Sequence, residues 1–218
     1  MKNPFKLLII TALLLLVLNI GQYLAYSSEL EQIEENHQSK SDANFITTLE
    51  TFETNDNLEE SLQNLSALDA DVNSEQLEDL VAQAEIQNDE YFNKLIRLIS
   101  FGDLNGDLAE KEFSINQYML SSETQKELIR KAYFSHTAIL NLLYETIEEY
   151  DQSEEAFAAM QEKLGVASEQ VGQINTEINQ LQSVQTGEFP PAEEVEMMKA
   201  SLMHNVASPL VLISDLTF

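Results

Sequence analysis

The chain has 218 residues, no cysteine, no tryptophan and a formal charge of −27. Its length suits one domain or two small ones with a buried core. The lack of cysteine excludes disulfides, thiol nucleophiles, thiolate zinc sites, covalent haem attachment and a lipoprotein anchor. The charge argues against nucleic acid as a partner, because carboxylates repel phosphates.

Residues 1–27 contain Lys2 and Lys6 but no acid, so residues 28–218 hold all 38 acidic side chains against nine basic ones, an excess of 29. Phe5 to Tyr26 reads FKLLIITALLLLVLNIGQYLAY. At about 1.5 Å per residue this is roughly one bilayer crossing. Residues 1–27 therefore read as a signal-anchor, with a membrane-spanning helix over about 5–26. Lysines precede it, and Glu29, Glu31, Glu34 and Glu35 follow. The positive-inside rule leaves the N-terminus in the cytoplasm and sends the rest out of the cell. Tyr23 and Tyr26 lie where aromatic rings favour the outer interface. The competing reading is a cleaved signal peptide: the strongest apolar block, Leu7–Leu18, is short, and Ala25-Tyr26-Ser27 presents small residues where a peptidase reads them. Cleavage after Ser27 would release a secreted soluble factor.

The exported part carries helical spacing almost throughout and few strand-like alternations, which predicts an all-α extracytoplasmic bundle. Residues 28–73 read as an acidic stalk followed by the first bundle helices. Ser28–Gln38 is apolar only at Leu30 and Ile33; Phe45, Leu49 and Phe52, then Leu58, Leu62 and Leu65, make a second stretch whose phase slips near Thr54–Asn57. Residues 74–187 read as the bundle proper. Asp69–Ser74 is a turn, with Ser74 the expected N-cap. The next helix buries Leu77, Leu80, Val81, Ala84, Tyr91, Phe92, Leu95, Leu98 and Ile99. Phe101–Asp107, with two glycines, breaks the chain; a short helix is expected around Leu108–Leu120, and Ser121 or Ser122 starts another.

From His136 the apolar positions alternate three and four residues apart: Ile139, Leu143, Thr146, Tyr150, Ser153, Phe157, Met160, Leu164, Ala167, Val171, Ile174, Ile178 and Leu181. Such a seam belongs to one long helix or to a coiled-coil-like helical hairpin. The hairpin is the expectation here, with Lys163 in a last turn, Gly165 as the stop and Ser168 capping the next helix. Residues 188–218 read as a proline-linked C-terminal helix and apolar tail. The paired prolines at 190 and 191 end the array, Ala192–Asn205 forms one more helix, and Pro209–Phe218 docks as a terminal segment.

Candidate sites are few. Asp103, Asn105 and Asp107 alternate like the opening of a calcium loop, but Leu108 stands where glycine is required and Ser114 where glutamate is. Asp69, Asp71, Asn73 and Glu75 alternate too, with Leu80 at the twelfth position. Both read as Asx-rich turns. Glu34 and His37 form one Glu-x-x-His pair, whereas a carboxylate-bridged di-iron bundle needs two; Tyr133 and Ser201 precede His136 and His204 at that spacing. His136, within an apolar stripe, reads as a hydrogen-bonded core histidine. Met197, Met198 and Met203 suit either an adaptable binding surface or core packing. No phosphate loop and no nucleophile elbow occur, so no catalytic, cofactor or metal residue is assigned and an enzyme is not expected.

The functional expectation is a membrane-tethered, single-pass protein of the bacterial cell envelope that acts by protein–protein interaction or scaffolding. Its partner would be another protein or a second copy, engaged through the heptad helices. The alternatives are a sensor-like, ligand-binding helical ectodomain that works through a partner, and the secreted factor.

Overall fold

The computed structural model describes residues 38–53, 57–69, 72–101, 122–150, 153–184 and 189–216, with positions 32 and 36. The described residues are all-α. Two compact units divide the chain, Met1–Ser41 and Asp42–Phe218. Among the described residues no helix is long and apolar enough to cross a membrane. The expected membrane helix over 5–26, the calcium-like stretch 103–107, the helix expected at 108–120 and the Glu34–His37 pair lie outside them.

Among its described residues the second unit has six helices. α1 is helical over residues 38–51, of which Asp42 is the first in this unit. α2 spans Asn57–Ser66, α3 Ser74–Ile99, α4 Glu123–Tyr150, α5 Glu154–Val184 and α6 Ala192–Ser214. The starts of α3, α4 and α5 each have a side-chain cap. Asn73, rather than the expected Ser74, caps α3: its Oδ1 accepts from the Gln76 backbone N–H at 2.8 Å. Asparagine and serine cap about equally well, so the neighbour one residue earlier wins on geometry alone. Ser122 caps α4 in a reciprocal box, with Gln125 N–H donating to Ser122 Oγ and Ser122 N–H to Gln125 Oε1.

The hairpin turn falls elsewhere than expected. α4 ends at Tyr150 and α5 runs unbroken from Glu154 to Val184, straight through Lys163, Gly165 and Ser168. Ser153 accepts from the Ala156 N–H at 3.1 Å and so starts α5, with Glu154 and Glu155 in its positive first turn. Gly165 is not a stop; it lies beside Ser66, whose Cβ would sit 3.8 Å from an added methyl. Ser168, expected as a cap, instead donates its hydroxyl to the Glu59 carbonyl at 2.9 Å.

The C-terminal helix is also longer than expected. α6 continues past Asn205 and through Pro209 to Ser214, burying Val206, Leu210 and Ile213 completely. Proline removes one backbone donor, which leaves the Asn205 carbonyl without its helical partner; Asn205 is exposed, so water can serve it. Burial of Leu210 and Ile213, worth about 2 kcal/mol each, offsets much of that loss of roughly 3 kcal/mol.

In packing, α2 lies against α3 and α5, α3 against α4, α4 against α6 and α6 against α5, with α4 also touching α5. The core runs from Phe45 on α1 to Ile213 on α6 as one cluster. Most of the heptad seam ends in this core: Ile139, Leu143, Thr146, Phe157, Leu164, Ala167, Val171, Ile174, Ile178 and Leu181 are buried in the chain's own interior.

Candidate functional site

Four polar or open features stand out from the apolar interior. In the first, α3 and α4 run antiparallel with Glu85, Asn88 and Asp89 facing His136 and Tyr144. His136 is 7% exposed and its Nε2–H donates to Asp89 Oδ1 at 2.5 Å. A carboxylate only accepts, which assigns the ring proton to Nε2. The Asn88 amide donates to the His136 carbonyl at 3.1 Å, and the Phe92 ring meets the imidazole edge-on at 5.9 Å. His136 Nδ1 is enclosed and has no partner among the described residues. With its Nε2–H on Asp89 of α3, the imidazole joins two helices. About two turns further along α4, Tyr144 donates to Glu85 Oε1 at 2.6 Å. That hydrogen bond is the main reason the phenol is held above its ordinary pKa, with burial and the charges of Glu85 and Asp89 adding to it.

The second feature is a buried cation. Lys199 on α6, 3% exposed, donates to Asp42 Oδ1 at 2.5 Å and to Glu196 Oε1 at 2.9 Å. Asp42 is also buried, while the Glu196 side chain is 56% exposed. The Phe101 ring lies beneath the ammonium, 4.7 Å from centroid to nitrogen. Phe101 has φ 56°, a left-handed conformation that an aromatic residue adopts rarely. It lies just beyond the end of α3, and its ring packs edge-on against Phe45 at 5.5 Å.

The third feature joins α2 to α5. Glu59 lays its carboxylate against Gly172, where an added methyl would come within 2.6 Å of Oε1, and accepts from Asn175 Nδ2 at 3.0 Å. Nearby, two glutamines of α5 close the ends of other helices. Gln161 Nε2 donates to the carbonyls of Leu65 and Leu68, and Gln182 Nε2 to those of Leu49 and Phe52. Of these carbonyls at the ends of α2 and α1, those of Leu65 and Leu49 also accept turn bonds from the Leu68 and Phe52 N–H, and a primary amide can serve two at once.

The fourth is an open groove of about 300 Å³ between α4 and the end of α6, lined by Lys131, Phe134, Thr137, Ala138, Asn141, Ser214 and Asp215. Phe134 is 48% exposed. On α6, one turn before the groove lining, Val211 and Leu212 are 36% and 47% exposed.

The residues singled out in the sequence scatter over these features. His136 is the core histidine expected, whereas His204 is exposed. The methionines do not share a surface: Met198 is buried, Met203 packs against the core and Met197 is exposed. Asn73 of the alternating acidic run is a helix cap, and Asp69 accepts a turn bond from Val72. Among the described residues no group of three acidic or histidine side chains could hold a metal ion. The Lys199 pair and the capping glutamines had no signal in sequence, since each joins positions at least 93 residues apart. No protein-family model matches the chain, and no curated protein or solved structure is similar to it.

Proposed function

We propose that this protein is a membrane-tethered, extracytoplasmic helical protein that works by protein–protein interaction or scaffolding at the bacterial cell envelope. The observation that carries the reading is the asymmetry of the first 35 residues: Lys2 and Lys6 before an apolar stretch, and Glu29, Glu31, Glu34 and Glu35 after it. The polar pairs described above tie helix to helix, which suits a module that presents a surface rather than one that turns over a substrate. Because most of the heptad seam is used within the bundle, the reading assigns partner contact to exposed apolar side chains, above all Phe134, Val211 and Leu212 beside the α4–α6 groove.

Membrane fractionation of cells with a protease added from outside tests the placement. The full chain is expected in the carbonate-washed membrane pellet, with residues 28–218 open to digestion. Recovery of a chain starting at Ser28 in the soluble fraction would overturn the tether in favour of the secreted factor. A photo-crosslinking residue at position 134 then tests the interaction. The expected result is one discrete adduct that is absent when the same probe stands at Val184.

A further inference from the structure

We infer that α1 is a detachable strap: it can leave the bundle as a unit while α2–α6 stay folded, and the Asp42–Lys199 pair is its buckle. Four observations support this. First, helix α1 stops at residue 51 and α2 begins at Asn57, so no ladder of helical hydrogen bonds joins them. Each has its own C-terminal closure on α5, Gln182 for α1 and Gln161 for α2, so releasing one leaves the other capped.

Second, α2–α6 contact one another in a closed circuit without α1, and retain the core from Leu58 to Ile213. Third, α1 and the residue that follows it supply only four of the 36 buried apolar side chains among the described residues, Phe45, Ile46, Leu49 and Phe52, so most of the core lies outside them.

The fourth observation concerns the buckle. Removing one member of a buried ion pair is normally prohibitive, because it strands an uncompensated charge. Here it does not. When Asp42 departs it becomes solvated, and Lys199 keeps the Glu196 carboxylate at 2.9 Å, a group already 56% exposed to water. The pair therefore selects the register in which α1 docks, yet holds it weakly.

Native-state hydrogen exchange on the full chain, at graded denaturant below the global transition, tests the inference independently of where the N-terminus resides. Amides 45–52 are expected to open together, with protection at least about tenfold below that of 58–66 and 164–178. Asp42→Asn should widen that gap by about a further tenfold while leaving 164–178 unchanged. Two results would overturn the strap. One is exchange of 45–52 only in step with 164–178; the other is an equal fall in protection of both segments in Asp42→Asn, which makes the pair a support of global stability alone.

Discussion

Gly172 and Glu59 are fitted to each other: the missing side chain on α5 is the space in which the α2 carboxylate lies, close enough that a methyl at 172 would come within 2.6 Å of Oε1. Helical glycine is ordinarily a loss of about 1 kcal/mol against alanine. In this position that loss admits a charged hydrogen bond from Asn175, whose side chain is otherwise enclosed.

Gly172→Ala should therefore destabilise the bundle by about 1 kcal/mol. It displaces the carboxylate and loses a bond worth about 2 kcal/mol, against a gain of about 1 in helix propensity. In a Glu59→Ala background the same change should stabilise by about 1 kcal/mol. Urea unfolding of the four proteins measures the reversal, and an equal effect in both backgrounds would refute the pairing.

Gln161→Ala and Gln182→Ala should each cost about 1 kcal/mol, since each removes a donor shared by two helix-end carbonyls, of which those of Leu65 and Leu49 keep turn bonds from the Leu68 and Phe52 N–H. The two positions are about 30 Å apart along α5, so the costs should add to within about 0.5 kcal/mol. Strong coupling in the double variant would show that the two caps do not act independently.

Lys199→Met should lower the protection of amides 45–52 by about tenfold or more while leaving that of 164–178 unchanged, because α1 detaches and solvates Asp42 rather than staying docked with a carboxylate that lacks its counter-charge. Asp42→Leu combined with Lys199→Met should restore the protection of 45–52, as an apolar pair fills the same space without desolvating charge. Native-state hydrogen exchange of the single and double variants checks both.

The Tyr144 phenol should ionise above the ordinary range, since Glu85 accepts its proton in a hydrogen bond that the phenolate cannot make. A raised folded-state value means the bond's contribution to stability is complete below the unfolded phenol's pKa of about 10. It is then lost as pH rises through the folded value. The side chain is half exposed, so the effect on stability is small. Ring-labelled tyrosine spectra across an alkaline titration should show this residue moving to lower pKa in Glu85→Gln; no movement would remove Glu85 as the cause.

The helical class and the core positions were legible because they depend on spacing along a few turns. Leu77, Val81 and Ala84 read as a buried face from periodicity alone and are buried, while the seam positions Leu164, Val171, Ile174 and Ile178, expected to meet a partner helix, are buried in the chain's own core. The hairpin turn was not legible: Lys163-Leu-Gly165 has the residues of a helix end, and Ser153-Glu154-Glu155 has those of a helix start. Both signals are local, and what chose between them is the packing of α2 along α5. Gly165 lies against Ser66, and Ser168 and Asn175 both reach Glu59. A break at 165 would have cost those contacts.

The sequence by itself determined that the described part of this protein is helical and which face of each helix turns inward, because side-chain periodicity is set by the backbone of a single helix. Only the tertiary structure decided where the heptad seam goes, which carbonyls the glutamines close and which carboxylate meets Lys199. Those choices join positions from 93 to 157 residues apart, and no short-range pattern in a chain encodes a partner that folding alone brings near.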